Sequence, residues 1–433
     1  MESIHFTFLL TLPIIETIEK HVNMLLLPLK PPLFFDIHTA LATWLDSDQE
    51  VSYNSTSSCD DPPLILPKTP FQSHQCRAEL LRLNALRKAL SEAITKPDAH
   101  RNALKENALA DLCEYHAALL EFEQRGFPSL EDEHNGIDLI WKAAFAPQQE
   151  KHHTLVWDRA CCLWNIAALS SKLVQDLLNS AATTSSSGGG DGGAQDAATA
   201  RDSYKQAVGH CQTAASSLSI LKELVSNGFD DFATVEMSKP MLTFWVNIFL
   251  AQAQAIIYQM ADQSKHSILS GLSQSAHLLM NDALQSAQDP RLISEVPRYA
   301  TEWGAYCKAH SMMAAAKAEY HAAVLHRQAS QWGPELTRLK ICLQKLEQCH
   351  EFVQPALAAD NASLLDLQRE VATYLPFVQN RYHTAFDDNT RVYRDDIPTL
   401  KTLGDIEPKQ LARLSLALPA NMQTPKVPLF TNL

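Results

Sequence analysis

The side chains most capable of chemistry in this chain are scattered cysteines, histidines and paired acids. Cys113 and His116, in DLCEYHAALLEFE, lie three residues apart, so they face the same side of a predicted helix. A structural zinc site needs four ligands, and the sequence offers no second Cys-x-x-Cys or His-x-x-x-His pair to complete this one. We therefore do not expect these two residues to bind a metal.

Two further pairs of reactive residue types have non-catalytic interpretations. His152 and His153, in EKHHTLVWD, lie at a predicted helix start and are interpreted as solvated. Cys161 and Cys162 lie in an apolar helix, where free cysteines are usually buried and unreactive. Neither pair predicts a nucleophile.

Four acidic pairs lie in predicted turns, where aspartate commonly caps helices. They are Asp60–Asp61, Asp230–Asp231, Asp387–Asp388 and Asp395–Asp396. The sequence contains no nucleophile–base pair, phosphate-binding loop or dinucleotide-binding glycine fingerprint. We therefore predict no enzymatic activity, no cofactor and no metal.

The overall composition is that of a globular chain with an acidic balance. Its 433 residues are 46% hydrophobic and 20% charged, and the net charge is -13. This charge disfavours binding to nucleic acid or to anionic lipid, which both require clustered Lys and Arg. Nine cysteines without disulfide-like spacing indicate reduced thiols and a cytoplasmic protein. The N-terminus has an acid at Glu2 and no basic segment, which argues against a cleaved signal peptide.

The hydrophobic pattern predicts an all-α fold, because almost every long segment has a helical period. The predicted helices cover residues 79–90, 99–125, 155–178, 197–226, 241–263, 267–288, 299–331 and 335–352. Short turns and small residues at the expected helix contacts favour a tetratricopeptide-like solenoid, although no strict repeat period is present.

Glycine and proline mark the breaks between these helices. Five of the 13 glycines fall in SSSGGGDGG, so residues 181–196 are predicted to form a flexible surface loop. Gly333 suits a helix end, and Pro334 suits the start of the next helix. From Pro398 onward the chain is apolar and spaced by prolines, which predicts an extended strap over the helices.

The helix from Met241 to Ala261 contains no charge and is long enough to cross a bilayer. Four amides would lie within the hydrocarbon region of such a span: Asn247, Gln252, Gln254 and Gln259. We favour a central helix of an α-domain, with Gln252 and Gln254 bonding between neighbouring helices, and predict no transmembrane span. In an open two-helix layer, apolar residues on the uncovered side would form a docking surface.

Six segments of the chain resemble, in order, segments of the BRO-one domain family, the N-terminal domain of Alix-type endosomal adaptors. The most distinctive is FLAQAQAIIYQMA, which resembles the family's AQAQE-type helix. The six segments are residues 24–45, 136–145, 158–174, 249–261, 314–340 and 387–398. The resemblance therefore covers residues 24–430, and residues 1–23 are interpreted as an extension before Met24, consistent with a gene-model artefact.

The resemblance implies a curved, boomerang-shaped helical domain with a tetratricopeptide-like core and a small N-terminal strand pair. It also implies a site, an apolar groove that binds the C-terminal amphipathic helix of an ESCRT-III core subunit. Matched residue by residue, the anchors of this groove are Ile257, Ile268 and Leu272, with Lys265 at the rim. Ile257 replaces an aromatic residue of Alix-like members. The turn before Ile268 looks two residues shorter than theirs.

The family resemblance implies a non-enzymatic adaptor in endosomal sorting and membrane remodelling. We expect a cytoplasmic protein recruited to endosomes, with peripheral membrane association through partners only. The chain ends with the domain, so we expect neither the cargo arm nor the proline-rich tail of full adaptors. The alternative is a signalling scaffold of the same fold, of the rhophilin-like or pH-response type. A third class, a membrane-spanning protein, depends only on the uncharged helix.

Overall fold

The all-α prediction is confirmed by the structure, a computed structural model. The residues it describes form ten α-helices and one two-stranded sheet. These residues are 24–32, 73–95, 102–124, 139–152, 154–186, 193–226, 234–358 and 364–414. The extension predicted for residues 1–23 lies outside them. The chain divides into two compact units, one of residues 1–27 and 170–417, the other of residues 28–169 and 418–433.

The smaller unit combines helices with a short sheet. Its elements are α1 (Ser73–Thr95), α2 (Asn102–Gln124), β1 (Leu139–Lys142), β2 (Gln149–His152) and the first half of α3 (Leu155–Ser186). The two strands are antiparallel, with Leu139 opposite His152. His152 is thus in a strand rather than at a helix start, and its ring contacts Trp157 at 3.8 Å between centroids.

Part of the opening segment is described and contacts the sheet. Among its described residues, 24–32, one isolated bridge joins Pro32 to Trp141 of β1. The backbone N–H of Lys142 also donates to the carbonyl of Pro31 at 2.9 Å. The paired strands of the described chain are therefore β1 and β2, and residues 33–45 of the resembling segment lie outside the description.

A buried charged network holds the smaller unit together. Arg87 of α1 and Asp158 of α3 form an ion pair with no exposed side-chain surface. Asp158 also accepts hydrogen bonds from the Tyr115 hydroxyl and from the indole N–H of Trp141, the latter at 2.7 Å. Burial alone would lower the pKa of Arg87, but Asp158 and Tyr115 raise it well above its ordinary value. The network thus joins α1, α2, β1 and α3 through one carboxylate.

The larger unit is a series of helices in which sequence neighbours pack together. After α3 follow α4 (Gly193–Ser226), α5 (Lys239–Met260), α6 (His266–Ala287), α7 (Pro290–Glu295), α8 (Pro297–Gln328), α9 (Trp332–Ala358) and α10 (Leu365–Asp388). The successive contacts are α4 with α5, α5 with α6, α6 with α8, α8 with α9, and α9 with α10. This is the helical-hairpin arrangement predicted from the short turns.

Polar side chains as well as small residues join α6 to α8. The Ser270 hydroxyl donates to the carbonyl of Ala318 at 2.9 Å. His277, Asn281 and Ser311 form a closed ring of hydrogen bonds 2.7 to 3.2 Å long. A Ser–His pair can resemble a catalytic dyad, but here the hydroxyl and both ring nitrogens are engaged within the ring. We therefore interpret this cluster as a structural bridge.

The uncharged helix α5 is a buried helix of the larger unit. Among the described residues it is the one helix long and apolar enough to cross a membrane, and 78% of its most apolar window is buried within the protein. Its aromatic side chains pack together, with Phe244 stacked on Trp303 of α8 at 4.9 Å between centroids. Packing between α4 and α6 thus accounts for its apolar composition.

Helices occupy both ends of the predicted Ser/Gly loop. Helix α3 continues to Ser186 and α4 begins at Gly193, so residues 187–192 are the part of loop 181–196 that lies outside the description. Ala181 and Ala182 favour continuation of α3 beyond its predicted end at residue 178.

The strap follows α10 and is held against α9. After the π-helical turn Asn389–Tyr393 the described chain runs to residue 414 with one 3-10 turn, Leu400–Thr402. Gly333 lies in the first turn of α9 rather than at the C-terminal end of α8. A Cβ atom there would overlap the carbonyl of Asp396. The left-handed turn residue between α8 and α9 is Ser330, with φ 58°. The glycine is needed because the strap backbone lies directly against it.

Candidate functional site

The predicted anchors meet at the turn between α5 and α6. Tyr258, Leu269 and Leu272 form a buried apolar cluster, and three half-buried residues pack against it. Those three are Ile257, Ala261 and Ile268. We call this set of six residues the candidate groove. The structure thus brings Ile257, Ile268 and Leu272 together, as the helical spacing predicts.

Leu272 does not have the exposure expected of an anchor. It has no exposed surface, because it packs with Tyr258 and Leu269 beneath the half-buried residues. The four-residue spacing from Ile268 predicts a shared helix face, but it does not predict how deep each residue lies. Ile257 and Ile268 therefore form the accessible part of the groove, and Leu272 forms its floor.

A short, rigid turn fixes the two isoleucines relative to each other. The carboxylate of Asp262 accepts hydrogen bonds from the backbone N–H and the hydroxyl of Ser264, at 3.0 and 2.7 Å. These bonds lower the pKa of Asp262 below its ordinary value. The backbone N–H of Lys265 donates to the carbonyl of Asp262 and closes the turn. The Lys265 side chain is exposed at the start of α6. A rim position for Lys265 agrees with this exposure.

A chain of polar contacts lies beneath the groove. The hydroxyl of Tyr258 is 2.8 Å from Nε2 of His321 on α8, and Nδ1 of His321 is 3.0 Å from Nδ1 of His266 on α6. Burial, the neighbouring His266 and Lys317 lower the pKa of His321 to about 3. Burial also lowers the pKa of His266. Both imidazoles are therefore neutral at pH 7, and one donates to the other.

Acidification should destabilise the fold through these histidines. The pKa of His321 is lowered from its ordinary value of 6.5. On acidification the unfolded chain therefore binds a proton at this residue that the native state excludes. Stability is full above pH 6.5 and falls as the pH drops towards 3, by at most about 1.4 kcal/mol per pH unit for this group. His310 of α8, whose pKa burial lowers to about 4, acts in the same direction.

Urea denaturation at pH 7.5, 6.5 and 5.5 would measure this dependence. The free energy of unfolding should fall less steeply with acidity in His321→Gln than in the unchanged chain. His383→Gln, at an exposed position of α10, serves as the matched control and should retain the full slope. Equal slopes for the two variants would contradict a role for His321.

The strap contributes to the site in a way that sequence reasoning missed. The buried amide of Gln254, on α5, accepts hydrogen bonds from the N–H groups of Leu411 and Ala412 at 3.1 and 3.0 Å. It donates to the carbonyl of Lys409. The N–H of Lys409 donates in turn to the carbonyl of Gly271 on α6 at 2.8 Å. The strap therefore crosses both helices that form the groove.

The crossing lies one helical turn from each accessible anchor. Gln254 precedes Ile257 by three residues and Gly271 follows Ile268 by three, so each pair shares a helix face. Leu411, held through its backbone, keeps 42% of its surface exposed. The strap thus lies against α5 and α6 one helical turn from the two isoleucines, and Leu411 is exposed on it. Gln252, the other predicted interhelical amide, donates to the carbonyl of Leu25 at 3.3 Å and also forms a side-chain hydrogen bond with Tyr306 of α8.

The structure also shows the surroundings of the cysteines singled out in the sequence. Among the described residues, no group of three or more His, Cys, Asp or Glu side chains is placed to hold a metal. Cys113 is buried, and burial raises the pKa of its thiol to about 12. Burial likewise raises the pKa values of Cys161 and Cys162 well above the ordinary thiol range. These cysteines are therefore poor nucleophiles at neutral pH.

The described chain thus has a helical-hairpin body with an apolar cluster at the α5–α6 turn and an extended strap across the same two helices. Residues 66–433 match the family model of the BRO1-like domain. This match covers most of the chain, and the chain therefore belongs to the BRO1-like domain family. The family that the sequence segments indicated is confirmed.

Curated relatives agree with this assignment at low identity. The chain is 27% identical over 365 residues to human programmed cell death 6-interacting protein, covering 81% of this chain and 36% of that protein. It is 23% identical over 310 residues to mouse tyrosine-protein phosphatase non-receptor type 23, covering 71% of this chain and 16% of the phosphatase. The chain thus spans about a third or less of these relatives.

Solved structures show the same fold. A structure described as "ALIX BRO1 CHMP4C complex" matches with a TM-score of 0.70 and 22% identity, covering 95% of this chain and 100% of that one. Another, "Structure basis for endosomal targeting by the Bro1 domain", matches with a TM-score of 0.65 and 16% identity, covering 90% of this chain and 92% of that one. At these identities the likeness concerns the fold alone.

Proposed function

We propose that this chain is a non-enzymatic adaptor domain that binds the C-terminal amphipathic helix of an ESCRT-III core subunit. The observation that carries the proposal is the pair of half-buried isoleucines, Ile257 and Ile268, at the α5–α6 turn beside the strap. An amphipathic helix binds such a groove by inserting aliphatic side chains at helical spacing. The family neighbour solved with CHMP4C, an ESCRT-III subunit, supports this class of partner.

The accessible apolar surface would contribute to the affinity. Full burial of one exposed aliphatic side chain contributes about 1.5–3 kcal/mol. Ile257, Ile268 and Leu411 would each lose only their remaining exposed surface and so contribute a part of this, and the helix would bury matching surface of its own. Micromolar binding corresponds to about 8 kcal/mol in total. Lys265, exposed at the rim, would favour an acidic partner helix.

The proposed cellular setting follows from the partner. The protein would be cytoplasmic and recruited to endosomes by ESCRT-III, in sorting and membrane remodelling. Relatives in the same family include a vacuolar protein-sorting protein BRO1 from Gibberella zeae. A net charge of -13 disfavours direct binding to nucleic acid or to an anionic membrane, so membrane association would be peripheral and through partners.

Titration with a labelled helix tests this proposal directly. A fluorescein-labelled peptide with the C-terminal helix of CHMP4C, and equivalents from the organism's own ESCRT-III subunits, would be titrated with the protein and followed by anisotropy. We expect saturable binding at micromolar concentrations. A peptide of the same composition with a scrambled apolar stripe is the control. If no native helix binds better than the scrambled one, the proposal is wrong, and the scaffold alternative becomes the better hypothesis.

A further inference from the structure

The side chain of Gln254 uses its full hydrogen-bonding capacity at one place. An amide offers two acceptor positions and two hydrogens. The oxygen of Gln254 accepts from Leu411 and Ala412, and the nitrogen donates to the carbonyls of Lys409 and Leu272, the last at 3.4 Å. The residue has no exposed surface. Gln254 therefore cannot touch a partner, and its polar atoms are committed to the strap and to the groove floor.

Gly271 brings the same stretch of strap directly onto α6. A Cβ atom at this position would lie 2.8 Å from Cβ of Lys409 and 3.1 Å from the carbonyl oxygen of Glu407. Contacts this short would force the strap to move, because the opposing atoms belong to or adjoin its backbone. Two independent features thus fix the position of the strap: the buried amide of Gln254 on α5, and the lack of a side chain at Gly271 on α6.

Along the strap these contacts fix one short section. Before this section, the strap is fixed by the hydrogen bond that the Arg338 side chain donates to the carbonyl of Gly404. Between that bond and Ala412, which is buried, residues 407–411 are exposed. The backbone of Leu411 is therefore positioned by its bond to Gln254, by the neighbouring Ala412 and, two residues earlier, by the bond from Lys409 to Gly271.

We propose that Gln254 is a positioning residue of the groove, which holds the strap so that Leu411 presents a third apolar contact to the partner helix. This inference rests on the proposed function, since it needs a helix bound at Ile257 and Ile268. In this inference the fully buried amide of Gln254 affects affinity indirectly, because it fixes the position of the exposed Leu411. Displacing the strap would leave the two isoleucines in place but remove the apolar edge beside them.

A double-mutant cycle separates positioning from a general structural effect. The affinity of the CHMP4C helix would be measured for the unchanged chain, Gln254→Leu, Leu411→Ala and the double variant. We expect Gln254→Leu to weaken binding about tenfold alone, but less than about twofold when Leu411 is already alanine. Equal losses in both backgrounds, or no loss in either, would overturn the inference.

A second variant tests the same role of the strap independently, in case Gln254→Leu does not fold. Gly271→Ala should also weaken binding, again only while Leu411 is present, because its Cβ displaces the strap. Gly209→Ala is the matched control, since it places the same methyl group within helix α4 where no atom lies within 4 Å. Hydrogen exchange should become faster at the amides of Leu411 and Ala412 in Gly271→Ala and remain unchanged in Gly209→Ala. Unaltered exchange in both would contradict the role of the strap contacts.

The two proposals fail in distinguishable ways. If the unchanged chain binds no ESCRT-III helix, the proposed function is wrong and the role of Gln254 in affinity falls with it. If the unchanged chain binds the helix and the cycle is additive, the function stands and only the positioning role is wrong.

Discussion

Replacement of Ile268 by aspartate is expected to weaken binding of the ESCRT-III helix at least about thirtyfold, or ~2 kcal/mol. Ile268 is half-buried and packs on the Tyr258–Leu269–Leu272 cluster at the accessible part of the groove. A docked helix would cover this position. A carboxylate there would have to lose its water without gaining a partner, which costs more than the lost apolar contact alone.

The fold should survive this substitution. Ile268 is the third residue of α6, which begins at His266. Acidic residues are favourable in the first turn of a helix because they interact with the unpaired N–H groups and the helix dipole. Helical content by circular dichroism should therefore remain close to that of the unchanged chain, although the lost packing lowers the melting temperature.

The adjacent residue offers a matched control. Ser267→Asp introduces the same charge one position earlier, where the side chain is exposed. Anisotropy titrations with the CHMP4C helix should show near-normal affinity for Ser267→Asp and the large loss for Ile268→Asp. Similar affinities for the two variants would place the helix elsewhere and remove the central observation behind the proposed function.

Most helix positions and the family membership could be predicted from the sequence because both depend on local patterns, although α7 and α10 were not among the predicted helices. The helix predicted over residues 241–263 corresponds to α5, Lys239–Met260. Its AQAQ segment carried the resemblance that the family match confirmed. The family resemblance placed Ile257 beside Ile268, and the structure brings the two residues together at the α5–α6 turn.

The depth of each side chain could not be predicted in the same way. Leu272 has the spacing of an anchor, yet it lies under its neighbours because α6 also packs on α8. Leu411 is more than 130 residues away along the chain and reaches the groove only through the strap. Gln254 makes the interhelical bond that the sequence predicts, to the carbonyl of Leu272 on α6, but its other partners are backbone atoms of that distant segment, as is the atom that Gly333 accommodates. Such contacts leave no periodic signal.

The stability of the smaller unit should depend strongly on its buried charged network. Asp158→Ala is expected to lower the free energy of unfolding by about 3–5 kcal/mol, because it leaves the guanidinium of Arg87 buried without its counter-charge. It also removes the acceptor for the Tyr115 hydroxyl and the Trp141 indole N–H. Urea denaturation followed by tryptophan fluorescence would measure the loss.

The charge itself, rather than the space left by the carboxylate, should cause most of this loss. If so, the double variant Arg87→Leu with Asp158→Ala recovers much of the stability of the unchanged chain, since no unpaired charge remains. The exposed pair between Arg298 and Glu302 provides the control, and Glu302→Ala should cause no measurable change. A double variant that is less stable than Asp158→Ala would show instead that the hydrogen bonds to Tyr115 and Trp141, and the packing of Arg87, dominate at this position.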